Sequence, residues 1–501
     1  MLDEKLLYYN GLDSACTLKA HDGYWDEIDQ YGYRWAYDFT MKLFPVLMFM
    51  QTRGIKVNFE GLEETKKDII EAQASAQEEL NRIVGSPLNA NSPKQVANYF
   101  YITKGIPPYY GKEGRITTDD KALQRIARGT AKRSGLREAR LIQDIRGYGK
   151  LYGTYLDIDF DSDGRLRCAY NPRGTKFGRL SSSATVFRTG TNLQNLPQEF
   201  KKFLTPDSGY FFWEVDKRQA EWVVVAYLSG DANMLSVIES GGDPHTHTAH
   251  LMFGISKEII LHDHKVVGNS MDRDEIYERR YNDPILRDYI SVLPSSMSAR
   301  QMGKKSNHGL NYDEGYNTFA LSNEIEISES KRVINLYHKI YPGIRQWHEF
   351  VKRQLGMDRS LTNCFGRKIR FLDAWGDTLF KAAYSAIPQS TVADCTNTGL
   401  IEIYNSSLTD KDHTNIDVLA QTHDSVLMQV PLKVLETPGL FDAMRDRVYE
   451  YISPELEYNS RKFKIATDSK VGMNWGGYHK DKNPQGMREI QSEGDLSWLK
   501  S

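Results

Sequence analysis

The chain is poor in cysteine, with only four in 501 residues, at positions 16, 168, 364 and 395. They form no CxxC pair, which argues against a disulfide framework or a structural zinc site and is typical of a reducing compartment. Long apolar runs are also missing, since the most apolar stretch, residues 44–50 (FPVLMFM), is far shorter than the roughly 20 residues that span a bilayer. The first residues, MLDEKLLYYNGLD, carry early acidic residues and no apolar signal core. We therefore expect no membrane association, no secretory signal and a cytoplasmic location.

An excess of charge of one sign is missing too, because the net charge is -2 and the pI is about 6.7. This excludes a protein coated in basic residues but not a nucleic-acid-binding protein, since affinity for phosphates comes from local patches. One segment is rich in basic residues: Lys104, Lys112, Arg115, Lys121, Arg125, Arg128, Lys132, Arg133, Arg137, Arg140, Arg146 and Lys150. Their density favours a surface that follows a phosphate backbone, with solvated helix faces as the alternative for any single residue.

The length suggests roughly three domains, and the first part of the chain has helical patterns. Apolar residues recur at helical spacing over residues 59–85, which predicts a long amphipathic helix. Ser92 followed by Pro93 is typical of an N-cap and a first helical residue, so a second helix is predicted there. Helices are expected to continue to about residue 155, which puts the basic residues in a mostly helical lobe.

From residue 156 the pattern changes to short strand-like runs. Residues 211–215 (FFWEV) predict a strand that ends at Asp216, and residues 219–228 predict a helix directly after it. Residues 231–384 are again mostly helical in pattern. Residues 418–421 and 426–429 predict the two strands of a hairpin whose turn lies between them.

Asp216 and Asp424 therefore lie at a predicted strand end and a predicted hairpin turn. If neighbouring strands carry them, both carboxylates point at one place. Hard oxygen ligands there suit Mg²⁺, which binds through a few carboxylates, waters and substrate phosphates. A pair of such ions can activate an attacking oxygen and stabilise a leaving one. Taken alone, an Asp at a strand end is more often a turn or cap residue.

A further helix is predicted to begin near Ser298. Four side chains follow one another on it at a spacing of four residues: Arg300, Lys304, His308 and Tyr312. The two cations suit a triphosphate and the two rings suit a base or a sugar, whereas an ordinary solvated face is the alternative. Gly309 in a helix interior costs roughly 1 kcal/mol, so we expect a ligand or another chain to approach closely there.

Three motifs in this order resemble those of the family A (Pol I-like) DNA polymerases, and within them the bacteriophage branch. The sequence DKRQAE that begins at Asp216 resembles motif A, RQMGKKSNHGLNY from Arg300 resembles motif B, and QTHD ending at Asp424 resembles motif C. Further matches occur in the same order: GRLSS at 178–182, NLQNLP at 192–197, DPHT at 243–246, FGR at 365–367 and QSTVAD at 389–394.

The resemblance implies an α+β right-hand fold with an antiparallel palm, helical fingers and a helical thumb. It implies a template-directed DNA polymerase that adds deoxynucleotides to a primer 3'-OH by two-metal-ion phosphoryl transfer and releases pyrophosphate. The expected partners are primer-template DNA, dNTPs and two Mg²⁺ ions. The expected divisions are an exonuclease remnant and connection (1–40), palm start and thumb (41–155), palm (156–235), fingers (236–384), palm (385–480) and a tail (481–501).

The resemblance also assigns roles to individual residues. Asp216 and Asp424 would hold both metal ions, and Lys304 would protonate the leaving pyrophosphate. The dNTP would be bound by Gln219, Glu221, Arg300, Lys304, His308 and Tyr312. Glu221 would exclude a 2'-hydroxyl and so select deoxynucleotides. DNA would be contacted by Lys150, Arg179, Asn195, Gln389 and His423.

Several positions depart from the family pattern. His308 stands where Phe or Tyr is usual, so we expect nucleotide affinity to depend on pH near 6 to 7. Ser425 stands where many relatives carry a third acid, which leaves two carboxylates for metal. Lys217 and Arg218 replace a more usual Tyr-Ser pair. Residues 262–294 form a longer link than is usual between the two finger segments, with no role that can be predicted.

Tyr9 and Asp13 resemble the last motif of the 3'-5' exonuclease that precedes this polymerase in its relatives. The other exonuclease carboxylates would lie outside this chain, so we expect both residues on a structural helix packed on the palm. One hypothesis is a split polymerase whose exonuclease is a separate polypeptide that docks at residues 1–40. The alternatives are a truncated chain and a polymerase without proofreading.

Two other functions compete with the leading prediction. A single-subunit RNA polymerase shares the palm and finger chemistry, but Glu221 and the GRLSS segment favour DNA. A non-catalytic DNA-binding subunit would not need the two aspartates together with Arg300 and Lys304. A weaker hypothesis is that the apolar tail, residues 495–499, docks a processivity factor such as a sliding clamp.

Overall fold

The computed structural model describes residues 4–111, 114–130, 133–270, 272–409 and 416–499. Lys112, Lys132 and the side chain of Arg128, which belong to the predicted basic segment, lie outside this description. The helices are α1 Glu4–Gln30, α2 Arg34–Arg53, α3 Phe59–Val84, α4 Pro93–Ala97, α5 Asp120–Arg128, α6 Arg137–Leu151, α7 Gln198–Lys201, α8 Ala220–Ser229, α9 Ala232–Glu239, α10 Pro244–Phe253, α11 Lys257–Val267, α12 Arg273–Asn282, α13 Ala299–Leu310, α14 Tyr316–Asn323, α15 Ile327–Ile340, α16 Pro342–Asp358, α17 Asp377–Thr409 and α18 Leu440–Ile452.

The strands are short except at the centre of the molecule. They are β1 Ile55–Val57, β2 Gly129–Thr130, β3 Arg133–Ser134, β4 Arg165–Leu166, β5 Ala169–Asn171, β6 Ser181–Ser183, β7 Leu204–Thr205, β8 Tyr210–Lys217, β9 Ser360–Thr362, β10 Lys368–Arg370, β11 Asp417–Thr422, β12 Ser425–Pro431, β13 Leu456–Tyr458, β14 Arg461–Phe463, β15 Thr467–Gly472 and β16 Arg488–Ile490. Tighter or wider helical turns occupy Asn98–Thr103, Tyr152–Leu156, Leu193–Asn195, Leu286–Tyr289, Leu432–Glu436 and Glu493–Leu499.

The largest sheet has five antiparallel strands in the order β11-β12-β8-β15-β16. Its middle strand, β8, is the strand predicted from the apolar run, and Phe211, Phe212, Trp213 and Val215 on it are fully buried. Helices α2, α17 and α18 contribute to the same apolar core. The predicted hairpin is confirmed as β11 and β12, two short apolar strands joined by a polar turn.

The basic lobe is helical, as predicted. Helix α3 ends at Gly85, whose φ of 80° closes the helix in the left-handed conformation, and the Ser92 hydroxyl accepts a hydrogen bond from the Gln95 amide at the start of α4. The lobe has an apolar core of its own, with Leu80 and Ile142 completely buried where α3 packs on α6.

Residues 231–384 form a second helical region, which packs against α8. Within it, α10 and α13 lie very close together. A Cβ at Gly303 would be 2.2 Å from the backbone oxygen of His245, so only glycine permits this approach. Asn307, which is buried, ties the same helices together through His245 at 3.1 Å and Thr248 at 3.0 Å. This packing fixes the direction of α13.

The segment 262–294 braces the start of α13. Arg280 and Asp263 form a buried ion pair with 2.8 Å between Nε and Oδ1, and Asp263 also accepts the Ala299 amide at 2.7 Å. Arg280 donates further to the carbonyl oxygen of Met297. The segment therefore has a structural role that the sequence did not predict: it holds the first turn of α13 in place.

Two expectations about the chain ends are wrong. Helix α1 exists, but none of its residues is buried and Tyr9 is 60% exposed, so Tyr9 and Asp13 do not pack on the sheet. The expected tail is part of the sheet core, since β16 pairs with β15 and Leu496 is completely buried. That burial contradicts a freely presented apolar docking segment at residues 495–499.

No helix in the described ranges is both long and apolar enough to cross a membrane.

Candidate active site

Asp216 and Asp424 come together at one end of the central sheet. Asp216 is the second-last residue of β8, and its register partner on β12 is Ser425, which directly follows Asp424. The turn that presents Asp424 is tight, because His423 has φ of 57°, in the left-handed region. The convergence predicted from the sequence is therefore present, and it results from the antiparallel pairing of β8 with the hairpin.

The surroundings of the two carboxylates favour a bound cation. Burial, together with the charges of Asp424 and Glu214, raises the pKa of Asp216 to about 7. Burial also raises the pKa of Asp424, although its own backbone amide and Arg179 oppose this. A divalent ion between two mutually repelling carboxylates would relieve this cost, so the donor set fits a hard metal ion.

The carboxylates alone do not complete a metal centre. Among the residues that the structure describes, no three or more His, Cys, Asp or Glu side chains are grouped to hold a metal ion. Ions held by Asp216 and Asp424 would need further oxygen ligands from water or substrate, which is the usual arrangement for Mg²⁺.

Helix α13 faces the carboxylates across a cleft. It begins after the cap Ser298, whose hydroxyl accepts from the Gln301 amide, as predicted. The cleft brings together side chains from four elements: Gln219, Glu221, His245, Lys304, Asn307, His308, Tyr312 and Asp424. Lys304 of α13 and Asp424 at the end of the sheet thus line one cavity, whereas Arg300 and Asp216 are not among its lining residues.

The expectation for Gly309 is wrong. Helix α13 ends at Leu310, so Gly309 lies in the last turn and not in the interior. A Cβ there would be 2.0 Å from Oε2 of Glu314, a side chain of the turn that follows. The space beside Gly309 is thus occupied by the Glu314 side chain of the same polypeptide and not by a ligand.

Arg300 is held by Asp243, a contact that sequence reasoning missed. The guanidinium binds both carboxylate oxygens, at 2.8 and 3.2 Å, and Gln219 donates to the same carboxylate at 3.0 Å. Burial tends to raise the pKa of Asp243, but Thr246 and Arg300 outweigh it, so the pKa is lowered and the group stays charged. The Asp243 side chain also caps α10 by accepting from the Thr246 amide, and neither this cap nor the link to α13 was predicted from the sequence.

Glu221 links two residues that the sequence assigned to different partners. Tyr312 donates to Oε2 of Glu221 at 2.5 Å, and Arg179 forms an ion pair with Oε1. Burial and the charge of Glu221 raise the pKa of Tyr312 well above its usual value, so the hydroxyl remains a donor. Arg179, expected at the DNA, lies beside the predicted nucleotide pocket.

His308 is exposed to the cleft, and its pKa lies below the usual value. Loss of water contact against the cleft wall is the main cause, Lys304 adds to it, and Glu221 and Asp424 oppose it. Its neighbour His245 is buried, and burial lowers its pKa to about 4. Both rings are neutral near pH 7.

The other predicted DNA contacts lie on four separate elements. Lys150 is exposed on α6, Asn195 is exposed in the turn that follows Asn192, His423 is exposed at the hairpin turn, and Gln389 is half-buried on α17.

Within the basic lobe, several arginines bind other residues of the protein. Arg146 donates to the carbonyl oxygens of Ala90 and Thr118, Arg137 pairs with Glu79, and Arg140 pairs with Asp272. The basic surface is therefore smaller than predicted.

The unusual residues after Asp216 also have structural partners. Lys217 is buried, and its ammonium donates to the carbonyl oxygen of Ile452, the last residue of α18. Arg218 pairs with Asp468 on β15, with 3.0 Å between Nε and Oδ2. Both side chains thus join β8 to the elements packed beside it.

Comparison with known proteins identifies relatives over most of the chain. The family model "DNA polymerase family A" matches residues 59–268 and 290–477, which leaves out α12. DNA polymerase I of Thermus aquaticus is 26% identical over 422 residues, covering 79% of this chain and 44% of its own length. DNA polymerase I of Caldicellulosiruptor bescii is 24% identical over 475 residues, covering 90% and 49%. The chain thus spans less than half the length of these curated relatives.

A solved structure shares the fold. It is the polymerase domain of Pol1 from M. smegmatis in complex with DNA primer-template and dNTP, with a TM-score of 0.69 and 22% identity, covering 87% of this chain and 70% of that one. This match confirms the expected α+β right-hand architecture. Since the family model covers well over half of its residues, the chain belongs to DNA polymerase family A.

Proposed function

We propose that the chain is a template-directed DNA polymerase that adds deoxynucleotides to a primer 3'-OH and releases pyrophosphate. The observation that carries this proposal is the cleft lined by both Asp424 and Lys304, with Asp216 beside Asp424 at the end of the sheet. Membership in the family supports it, and so does the fold shared with a polymerase bound to primer-template and dNTP.

Asp216 and Asp424 would hold two Mg²⁺ ions, because their mutual repulsion inside the cleft is relieved by bound cations. When bound, the ions supply charge stabilisation to the attacking and leaving oxygens. The protein contributes the spacing of the two carboxylates, which the β8–β12 register sets.

The residues of α13 would bind the triphosphate. Lys304 is exposed in the cleft, and Arg300, one turn earlier on α13, is oriented by Asp243; both cations would bind phosphate oxygens. Lys304 would also donate the proton that the leaving pyrophosphate needs. His308 would lie against the base or the sugar.

Glu221 would select deoxynucleotides by occupying the space that a 2'-hydroxyl needs. Its two bonds, to Tyr312 and Arg179, hold the carboxylate in one orientation. Gln219, bonded to Asp243, lies in the same cleft wall. These contacts support a rigid pocket for the sugar.

Primer-template DNA would be contacted by Lys150, Arg179, Asn195, Gln389 and His423. Lys150, Asn195 and His423 are exposed, whereas Arg179 is paired with Glu221 and would have to share that contact. Binding of a processivity factor remains a prediction, but the tail is no longer proposed as the segment that binds it.

We also propose that the polymerase replicates a bacteriophage genome in the host cytoplasm and that a separate 3'-5' exonuclease polypeptide binds α1. Support comes from the exposed apolar side chains of α1, which include Leu7, Tyr8 and Leu12. Co-purification of a nuclease with the chain from its native source tests this. An uninterrupted reading frame that joins an exonuclease to this chain would contradict it.

The test of the polymerase proposal is primer extension on a DNA template with Mg²⁺, using dNTPs and rNTPs in parallel. Extension with dNTPs only is the predicted result. Efficient extension with rNTPs would instead favour the single-subunit RNA polymerase, and an intact chain that binds DNA without extending it would favour a non-catalytic subunit.

A further inference from the structure

Glu214 lies beside the catalytic carboxylates but has no assigned role. It precedes Asp216 by two residues on β8, and because strand side chains alternate, both point to the same face of the sheet. Its Oε1 accepts from the Ser425 hydroxyl at 3.2 Å and from the Trp475 indole at 3.3 Å. Ser425 also bonds to Thr422 at 2.6 Å, so Glu214 is tied to the turn that carries Asp424.

Two lysines flank this carboxylate. Lys470 on β15 is the register partner of Glu214. The ammonium of Lys201 lies 4.3 Å from the centre of the Trp475 ring, and the nitrogen of that ring is bonded to Glu214. Both lysines are half-buried, so their charges are screened less than those of fully exposed side chains.

Both lysines are close enough to Asp216 to interact with its charge, although Lys470 also has Glu489 on β16 as a register partner. An ammonium beside Asp216 would compete with a metal ion for the same oxygens, since both are cations attracted by one charge. Glu214, two residues before Asp216 on the same face of β8, provides an alternative carboxylate partner for the two lysines.

We propose that Glu214 is a positioning residue that holds Lys201 and Lys470 away from Asp216 and so keeps Asp216 available for a divalent cation. The proposal rests on the proposed role of Asp216 and Asp424 in metal binding. Ser425 takes part by orienting Glu214, which provides a structural reason for a serine at this position.

The test is a titration of the full chain with Mn²⁺, with free Mn²⁺ measured by electron paramagnetic resonance. Glu214→Gln keeps an acceptor oxygen for Ser425 and Trp475 but removes the charge, and we expect it to weaken Mn²⁺ binding about ten-fold. Adding Lys201→Met and Lys470→Met to this variant should restore the affinity to within about two-fold of wild type.

A matched control is Glu214→Gln with Lys202→Met, because Lys202 neighbours Lys201 in sequence but is exposed and lies over Phe203. This pair should remain as weak as Glu214→Gln alone. Wild-type affinity in Glu214→Gln would overturn the proposal. So would a triple variant that stays weak, which would mean that Glu214 contacts the cation itself or only supports the fold.

Two further variants separate the possible failures. Asp216→Asn should abolish tight Mn²⁺ binding, and unchanged binding there would contradict the proposed metal site whatever Glu214 does. Glu214→Asp keeps the charge and serves if Glu214→Gln does not fold. It should bind Mn²⁺ within about two-fold of wild type, and a ten-fold loss would contradict the proposal.

Discussion

Tyr312 and Glu221 are joined by a hydrogen bond of 2.5 Å across the cleft, between the end of α13 and the first turn of α8. The same carboxylate is paired with Arg179. A carboxylate held from two sides cannot easily rotate to make room for an additional hydroxyl. These contacts thus connect the two helices that form this part of the cleft wall.

Glu221→Gln should therefore reduce discrimination against ribonucleotides. The substitution keeps the size of the side chain but removes the charge that binds Arg179 and Tyr312, each worth roughly 1.5–3 kcal/mol. We expect the ratio of kcat/KM for dATP to that for ATP to fall by about ten- to a hundred-fold, with a smaller fall in Tyr312→Phe. Tyr227→Phe, on the same helix but stacked on Phe463, is the matched control. An unchanged ratio in Glu221→Gln would refute the assigned role.

Asp243→Asn should weaken dNTP binding without destabilising the protein. Asn can still cap α10, but it loses the ionic bond that orients Arg300. The KM for dNTP should rise about ten-fold, while the thermal unfolding midpoint stays close to wild type. Asp243→Ala should show the same rise and also lose about 1 kcal/mol of stability with the cap. If Asp243→Asn binds dNTP normally, Arg300 does not depend on this contact.

The wild-type KM for dNTP should fall at acidic pH relative to His308→Phe. The pKa of His308 is lowered, so the ring is neutral at pH 7 and gains a proton only as the pH falls below about 6.5. The protonated ring would add positive charge beside Lys304 and attract the triphosphate. Titration of Asp216 affects both proteins alike and cancels in the ratio of their KM values. A constant ratio from about pH 5.5 to pH 8 would contradict this role.

Arg280→Met should destabilise the protein strongly. It leaves Asp263 as an unpaired charge in a place with no solvent exposure, which costs about 3–5 kcal/mol. Urea denaturation followed by tryptophan fluorescence measures the loss. Lys462→Ala, which breaks the exposed pair with Glu455, is the control and should leave the midpoint unchanged. Equal midpoints for both variants would show that the segment does not brace α13.

Elements with strong local signals could be predicted from the sequence. The spacing of apolar residues predicted α3, and the cap residues Ser92 and Ser298 predicted where α4 and α13 begin. The hairpin around Asp424 was predictable for the same reason, since short apolar runs and the turn residues between them act within a few positions. The carboxylates and the cationic face of α13 followed from these elements and from the resemblance to the family.

Contacts between distant segments could not be predicted in this way. Asp243 and Arg300 are 57 residues apart, and they meet because Gly303 lets α10 and α13 approach closely. The burial of Leu496 depends on β16 joining the sheet at its edge, which no local pattern near the tail indicates. Gly309 was misinterpreted because the end of α13 is set by the turn through Asp313, which has φ of 60°.

The most direct test of the account is the rate of single-nucleotide primer extension by wild type and by Asp424→Asn, with Mg²⁺ and a correct dNTP. Primer-template affinity, measured by fluorescence anisotropy, shows that both proteins still bind DNA. The account predicts a loss of at least about a thousand-fold in rate, with DNA affinity within about two-fold of wild type. Extension by Asp424→Asn at the wild-type rate would contradict it.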